Sequence, residues 1–231
     1  MISMHPRWSR SALARITAEV SKFAWLVLSR APESSKRAID IIGAGLALLL
    51  ASPLLIVIAA LIKLEDRGPV LFWQWRVGQY GKLFRFPKFR SMCVNAEAKL
   101  AAIRTQNQHG GQGITFKMKD DPRITRIGRL MRRFSLDEAP QLWSVLAGHM
   151  TLVGPRPALP SEVARYTLDD RRRLDAVPGL TCIWQVSGRS NLPFPIQCRM
   201  DVEYIERRNL LLDLQLLTAT LPAVVTGRGA Y

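Results

Sequence analysis

The chain has 231 residues and carries a formal net charge of +15, with a pI near 10.7 and 48% hydrophobic residues. That length suits one domain with an appendage and excludes two full-sized domains, while the charge calls for anionic partners: nucleic acid, an acidic membrane surface or phosphorylated substrates. The three cysteines (Cys93, Cys182, Cys198) form no CxxC and have no histidine at ligand spacing. A disulfide framework and a zinc site are therefore excluded, and the pattern fits a reducing compartment.

In chain order, residues 1–35 form a basic extension. Leu13, Ile16, Val20, Phe23, Val27 and Leu28 recur at helical spacing, and Arg15, Lys22, Trp25 and Arg30 suit an anionic membrane surface. A helix docked on the protein's own core is the alternative. Residues 36–64 contain the strongest physical signal, the uncharged run IIGAGLALLLASPLLIVIAALI from Ile41 to Ile62. At about 1.5 Å per residue it is long enough to cross a bilayer. A signal peptide does not fit, because the run starts late and lacks a small-x-small cleavage site. Ser52 and Pro53 lie at its centre, where proline removes one helical hydrogen bond and freed carbonyls need another donor. Lys36 and Arg37 precede the run and Lys63 and Arg67 follow it, so the positive-inside tendency holds both ends on one side. A helix that dips in, turns at Ser52-Pro53 and returns satisfies both facts; a kinked span is the alternative.

Residues 65–231 read as a mixed, mainly helical domain. PVLFWQW (residues 69–75) and residues 83–89 are extended, with Gly78 and Gly81 between them in turn chemistry, which predicts a small β-hairpin. Helices are expected over residues 95–106, 123–133 and 135–147, with a glycine-rich loop at 109–113. Farther on come loops at 154–157, 178–179 and 187–195. One long helix is expected over residues 196–225, interrupted at Pro222, whose leucines serve as core or as a second membrane contact.

The segment FSLDEAPQLW (residues 134–143) concentrates the chemistry. Ser135 followed by Glu138 is a capping-box spacing, which puts Asp137 and Glu138 in a helix's first turn. If Asp137 is itself the N-cap, Pro140 falls inside that turn. Adjacent helical residues point about 100° apart, so the two carboxylates cannot flank a glycosidic bond. One suits a nucleophile and the other a ligand for a hard cation; a plain acidic helix start is the bland alternative. Cations are plentiful nearby in sequence: Lys88 and Arg90 in PKFRSM, Arg129, Arg132 and Arg133 before the pair, Arg156 in GPRP and Arg189 in SGRS. Arginine's planar fork suits phosphate oxygens, and the flanking Pro155 and Pro157 stiffen Arg156. Arg171, Arg172 and Arg173 read as solvated surface charges. Arginines gathered around an acidic pair argue against nucleic acid as the partner.

Five motifs in order carry a resemblance: KRAIDIIGAGLALLLASP, PKFRSM, RRFSLDEAPQLWSVLAGHMTLVGPRP, VPGLTCIWQVSGRS and DVEYIERRNLLLDLQLL. From Lys36 to Tyr231 the chain resembles the bacterial sugar transferases, also called monotopic phosphoglycosyl transferases. The resemblance implies an α+β, mainly helical monotopic membrane protein with a re-entrant, Pro-broken membrane helix hairpin. It places a catalytic domain with a small β-hairpin on the cytoplasmic face of the bacterial inner membrane. It also implies Mg²⁺ and ping-pong covalent catalysis. Asp137 would attack the sugar-linked phosphorus of a UDP-sugar and release UMP, and undecaprenyl phosphate would then attack the phosphosugar-aspartate. Glu138 matches the family's second acid, with metal binding or proton handling as its role. Lys88, Arg90, Arg132, Arg156 and Arg189 match phosphate- or nucleotide-binding cations. Partners are the lipid bilayer, the two substrates and, compatibly, a second copy of the chain. A UDP-hexose donor is suggested by the GRGAY ending, with N-acetylated sugars open, and an inactive scaffold of a polysaccharide assembly is the competing reading. Cys182, where the family usually has glycine, and Pro87, where an aromatic is more usual, depart from the pattern.

Overall fold

The structure is a computed structural model and describes residues 33–103, 118 and 121–226. The amphipathic stretch 11–30, the loop 109–113 and the GRGAY ending lie outside the described residues.

Helix α1 (Glu33–Asp66) carries the apolar run. It continues as helix through Pro53 rather than opening into a turn there. Pro53 has no N–H for the Leu49 carbonyl, and the Ser52 hydroxyl donates to that carbonyl instead, at 2.7 Å. Only 11% of the most apolar stretch is buried, and Leu49, Leu50 and Ile56 are each more than two-thirds exposed. The buried residues Asp40, Ala44, Ile58 and Ile62 fall on one helical stripe. Along it, the two halves of α1 dock on different parts of the same domain. Near the start, Asp40 accepts hydrogen bonds from the Leu152 N–H (2.8 Å) and the Thr151 hydroxyl (2.6 Å), and Ala44 packs in the main core. Near the end, Ile58 and Ile62 form a second cluster with Phe89 and Met131. Lipid is the environment that the remaining bare apolar surface fits.

The expected hairpin is present. β1 (Leu71–Val77) pairs antiparallel with β2 (Leu83–Phe89), from Leu71 opposite Phe89 to Val77 opposite Leu83. Its turn uses left-handed backbone at Tyr80 (φ 53°) and Gly81 (φ 79°), the latter cheap for glycine. Strand alternation gives the hairpin two faces. Gln74, Arg76, Phe84, Phe86 and Lys88 face the domain, whereas Trp73, Trp75, Leu83 and Arg85 face outward.

Helix α2 (Ala96–Ile103) follows, then α3 (Arg126–Arg133). Thr125 caps α3 by accepting from the Gly128 N–H (2.9 Å), and Glu65 of α1 accepts from the Arg126 N–H (2.8 Å). Gly128 is obligatory by contact, since a Cβ there would lie 2.0 Å from the Ser91 carbonyl oxygen. Helix α4 (Gln141–Leu146) packs against α1. Two three-residue strands were not anticipated: β3 (Thr151–Val153) and β4 (Gly179–Thr181), paired in parallel. The short helices α5 (Pro160–Val163) and α6 (Leu168–Arg171) lie between β3 and β4 in the chain and α7 (Ile183–Ser187) follows β4, while β3 itself packs against α1 and α4.

The expected 196–225 helix is instead two, α8 (Phe194–Arg207) and α9 (Leu210–Thr226). The break falls at Arg208, which is extended, and Asn209, whose side chain accepts from the Leu212 N–H at 2.9 Å and starts the new helix. Pro222 sits inside α9 without ending it. Leu210 and Leu216 of α9 are core, while Leu221 is 70% exposed, so the helix serves both the core and the surface. Tyr204, Phe86, Met150 and Val145 anchor the main core.

Candidate active site

The acidic pair follows Ser135 in the first turn of a 3₁₀ helix rather than of an α-helix, and neither expected side-chain cap forms. After α3, Ser135 adopts a left-handed backbone (φ 55°, ψ 22°) and makes no capping bond with its side chain. Leu136–Glu138 is a single 3₁₀ turn, and α4 begins only after Pro140. The 135–147 helix is thereby split. The physical consequence is useful: 3₁₀ residues step by about 120°, so the neighbouring carboxylates point in different directions.

Glu138 points into cations. Its Oε1 accepts from Arg156 Nη2 at 2.8 Å and lies 3.4 Å from Lys88 Nζ. Burial works against its charge, but Arg156 and Lys88 outweigh it and hold the carboxyl far below the usual range. Asp137 differs. It is 7% exposed, lines a cleft of about 830 Å³, and among the described residues its carboxyl accepts no hydrogen bond and makes no ion pair. Burial, reinforced by the adjacent Glu138 charge, holds its carboxyl above the usual range. One carboxylate is clamped and the other is left for a ligand.

The expected cations separate into two groups. Lys88, on the inner face of β2, packs its ammonium over the Phe86 ring (5.3 Å), and burial lowers it to about 8. Arg156 is carried by the Gly154–Pro157 loop that leaves β3, and the Glu138 charge raises it. Arg132, at the end of α3, donates through Nε to the Ser91 hydroxyl (2.9 Å) and acts electrostatically on Asp137. Arg189 lies on a 3₁₀ turn with left-handed backbone (φ 52°), close enough to feel Glu138 but unbonded to it. Arg90 is the exception. Its two terminal nitrogens grip both oxygens of Asp66 and its Nε donates to the Pro69 carbonyl (2.6 Å), so its donors tie β2 to the end of α1 instead of facing a ligand.

Two further arginines are buried, Arg173 against its expected place on the surface and Arg76 without having been singled out in the sequence. Arg173 is not a surface charge: it is 5% exposed and ion-paired with the fully buried Asp201. Asp201 also accepts from the Trp184 indole and the Cys182 thiol, both at 3.0 Å, so Cys182 contributes to a buried polar knot. Arg76 lines the cleft beside Lys88. Its signal was its strand register, because the hairpin puts it on the face that carries Lys88.

Among the described residues no three His, Cys, Asp or Glu side chains come together as a metal cage. The donor set, one unbonded carboxylate beside Glu138, fits Mg²⁺ of the kind that one or two carboxylates hold together with substrate phosphates.

Residues 31–227 match the family model for bacterial sugar transferases. The chain is 43% identical over 197 residues to the galactosyl transferase CpsE of Streptococcus agalactiae serotype III, covering 85% of this chain and 43% of that protein. It is 37% identical over 199 residues to the exopolysaccharide production protein ExoY of Sinorhizobium fredii, covering 85% of this chain and 88% of ExoY. It is 40% identical over 198 residues to an undecaprenyl-phosphate galactose phosphotransferase of Salmonella typhimurium, covering 85% and 41%. The chain therefore spans under half the length of two of these relatives and nearly nine-tenths of the third. With its acidic pair, cationic cleft and apolar helix on one body, and a match over nearly all of its length, the chain belongs to the bacterial sugar transferase family.

Proposed function

We propose that the protein transfers a sugar-1-phosphate from a UDP-sugar to undecaprenyl phosphate, as an early step of exopolysaccharide or related glycan assembly. The observation that carries the reading is the division between the carboxylates: Glu138 is held by Arg156 and Lys88, while Asp137 faces the cleft unbonded. A carboxylate oxygen of Asp137 attacks the sugar-bearing phosphorus, the bond from that phosphorus to the oxygen bridging to UMP breaks, and UMP leaves with the electron pair. An oxygen of the polyprenyl phosphate then attacks the same phosphorus, and the Asp137 carboxylate is released. Lys88, Arg132 and Arg156 offset phosphate charge, and Glu138 fixes Lys88 and Arg156 where that charge develops. Bound Mg²⁺, held by Asp137 or the open oxygen of Glu138 with substrate phosphates, would supply further charge neutralisation.

The names of the relatives, galactosyl transferase among them, support a hexose donor. The bare apolar surface of α1, with basic flanks and both halves docked on one domain, supports a re-entrant anchor with the cleft on the cytoplasmic face of the inner membrane. Purified protein in detergent is expected to release UMP from a UDP-hexose when Mg²⁺ and polyprenyl phosphate are supplied. A panel of UDP-sugars identifies the donor, and mass spectrometry should find the phosphosugar adduct on Asp137. UMP release by Asp137→Asn at the wild-type rate would remove Asp137 as the nucleophile. Single cysteines at Ser34 and Arg67, in a Cys93-free background, should be labelled from the same membrane face; labelling from opposite faces rejects the re-entrant anchor.

A further inference from the structure

Four arginines are buried among the described residues: Arg76, Arg90, Arg123 and Arg173. Three of them are neutralised by a carboxylate, Asp66 for Arg90, Asp121 for Arg123 and Asp201 for Arg173. Arg76 has none within ion-pair distance among the described residues. Its Nη1 donates to the Pro157 carbonyl (3.0 Å) and its Nη2 to the Gln74 side-chain oxygen (2.7 Å), while its buried Nε has no partner. The guanidinium lies 5.1 Å from the centre of the Phe86 ring, and the residue as a whole is 9% exposed. A buried cation without a counter-ion is strongly destabilising, so an arginine in this state reads as a group awaiting an anion.

The surroundings say where that anion sits. Arg76 lines the same cleft as Asp137, Lys88 and Arg156. The Arg156 charge acts against it, whereas Glu162 and Glu138 favour it without forming an ion pair with it; Glu162 accepts from the Leu159 N–H (2.8 Å) and Glu138 is already engaged by Arg156 and Lys88. Through Pro157, Arg76 also holds the loop that carries Arg156, so the two guanidiniums belong to one rigid piece. An anion placed between them relieves their repulsion and meets donors fixed in advance.

We propose that Arg76 is a phosphate-binding residue of the cleft, its missing counter-ion being a phosphate group of the bound substrate. The proposal rests on the phosphoryl-transfer reading above and adds a residue to it. Two substrates could supply the group, the diphosphate of the nucleotide sugar or the head group of the polyprenyl phosphate.

The test is calorimetric binding and thermal shift on the full chain in detergent, with UMP, inorganic pyrophosphate and farnesyl phosphate as separate probes at constant ionic strength. Wild type should bind at least one probe and gain Tm with it. Arg76→Gln should keep or raise the Tm of the unliganded protein and bind that probe about ten- to a hundredfold more weakly. A loss confined to UMP and pyrophosphate assigns Arg76 to the donor, and a loss confined to farnesyl phosphate assigns it to the acceptor. Undiminished binding of every probe by Arg76→Gln, with or without a lower Tm, overturns the proposal and leaves the transferase reading intact. Should Arg76→Gln not fold, Arg76→Lys decides: weaker binding at a wild-type Tm supports the assignment, and equal binding rejects it. A wild-type protein that binds none of the probes rejects the phosphoryl-transfer reading itself, and this proposal with it.

Discussion

Two polar clusters in this protein use the same residue types to opposite ends. Around Asp201 the charges pair off: Arg173 is ion-paired with it, with only the Arg173 Nε left without a partner, Trp184 and Cys182 donate to it, and the carboxylate is fully buried. Around Asp137 and Glu138 they stay open, with Arg76, Lys88, Arg132 and Arg156 gathered about two carboxylates of which only one is paired. A closed cluster uses its interactions to join the 3₁₀ turn at Arg172–Leu174 to α7 and α8. An open one leaves charge unbalanced until a ligand arrives, which is how a site trades stability for binding. The comparison teaches that partners, more than burial or residue type, separate structural charge from functional charge.

The comparison can be broken most sharply at the two aspartates. Asp137→Asn should lower the rate of UMP release on the order of 10³-fold or more, read in a turnover assay, yet leave Tm unchanged or raised. The stability half follows because burial and Glu138 already disfavour the Asp137 charge. Asp201→Ala should do the reverse, costing about 3–5 kcal/mol in denaturant unfolding by stranding Arg173, with the remaining folded fraction still active. If Asp137→Asn unfolds the protein as readily as Asp201→Ala does, the two clusters do not differ in kind.

A smaller effect is expected from pH. Asp137, held above the usual carboxylate range, reacts only when ionised, so the acid limb of kcat should lie above an ordinary aspartate's titration. Burial lowers Lys88 to about 8, so its positive charge, and its hold on Glu138, should fade as pH rises through that value. Lys88→Arg should push the alkaline limb upward, because a guanidinium stays charged there. Glu138 is depressed, so its contribution to stability is complete at neutral pH and is lost only as pH falls through its low folded value. The smallest effect belongs to Arg172 and Glu206, an ion pair with both side chains about half exposed. Arg172→Ala should change stability by about 0–1 kcal/mol, which calibrates what an uncaged surface charge contributes.

Much of the architecture was legible because it is written in local periodicity. The run from Ile41 to Ile62 announces an apolar helix, and alternation about Gly78 and Gly81 announces the hairpin. What was missed depends on contacts between distant segments. β3 and β4 are three residues each, too short to show alternation, and exist because Thr151 meets Gly179 and Val153 meets Thr181. Pro222 looked like the interruption of one long helix, but the actual break falls at Arg208 and Asn209, where the Asn209 capping bond starts a new helix. Arg173 resembled its exposed neighbours Arg171 and Arg172 until Asp201 was brought to it from another helix.

The sequence by itself determined the apolar anchor with its basic flanks, the hairpin, the acidic pair and the family to which they belong, since each is a local pattern or an ordered set of them. The tertiary structure alone decided that Ser135 turns left-handed ahead of a 3₁₀ turn in which Glu138 meets Arg156 and Lys88 while Asp137 faces the cleft, that Arg90 is occupied by Asp66, and that Arg76 has no counter-ion among the described residues. Those are statements about which charges meet across the fold, and Coulomb interactions depend on distances in space that no spacing along the chain records.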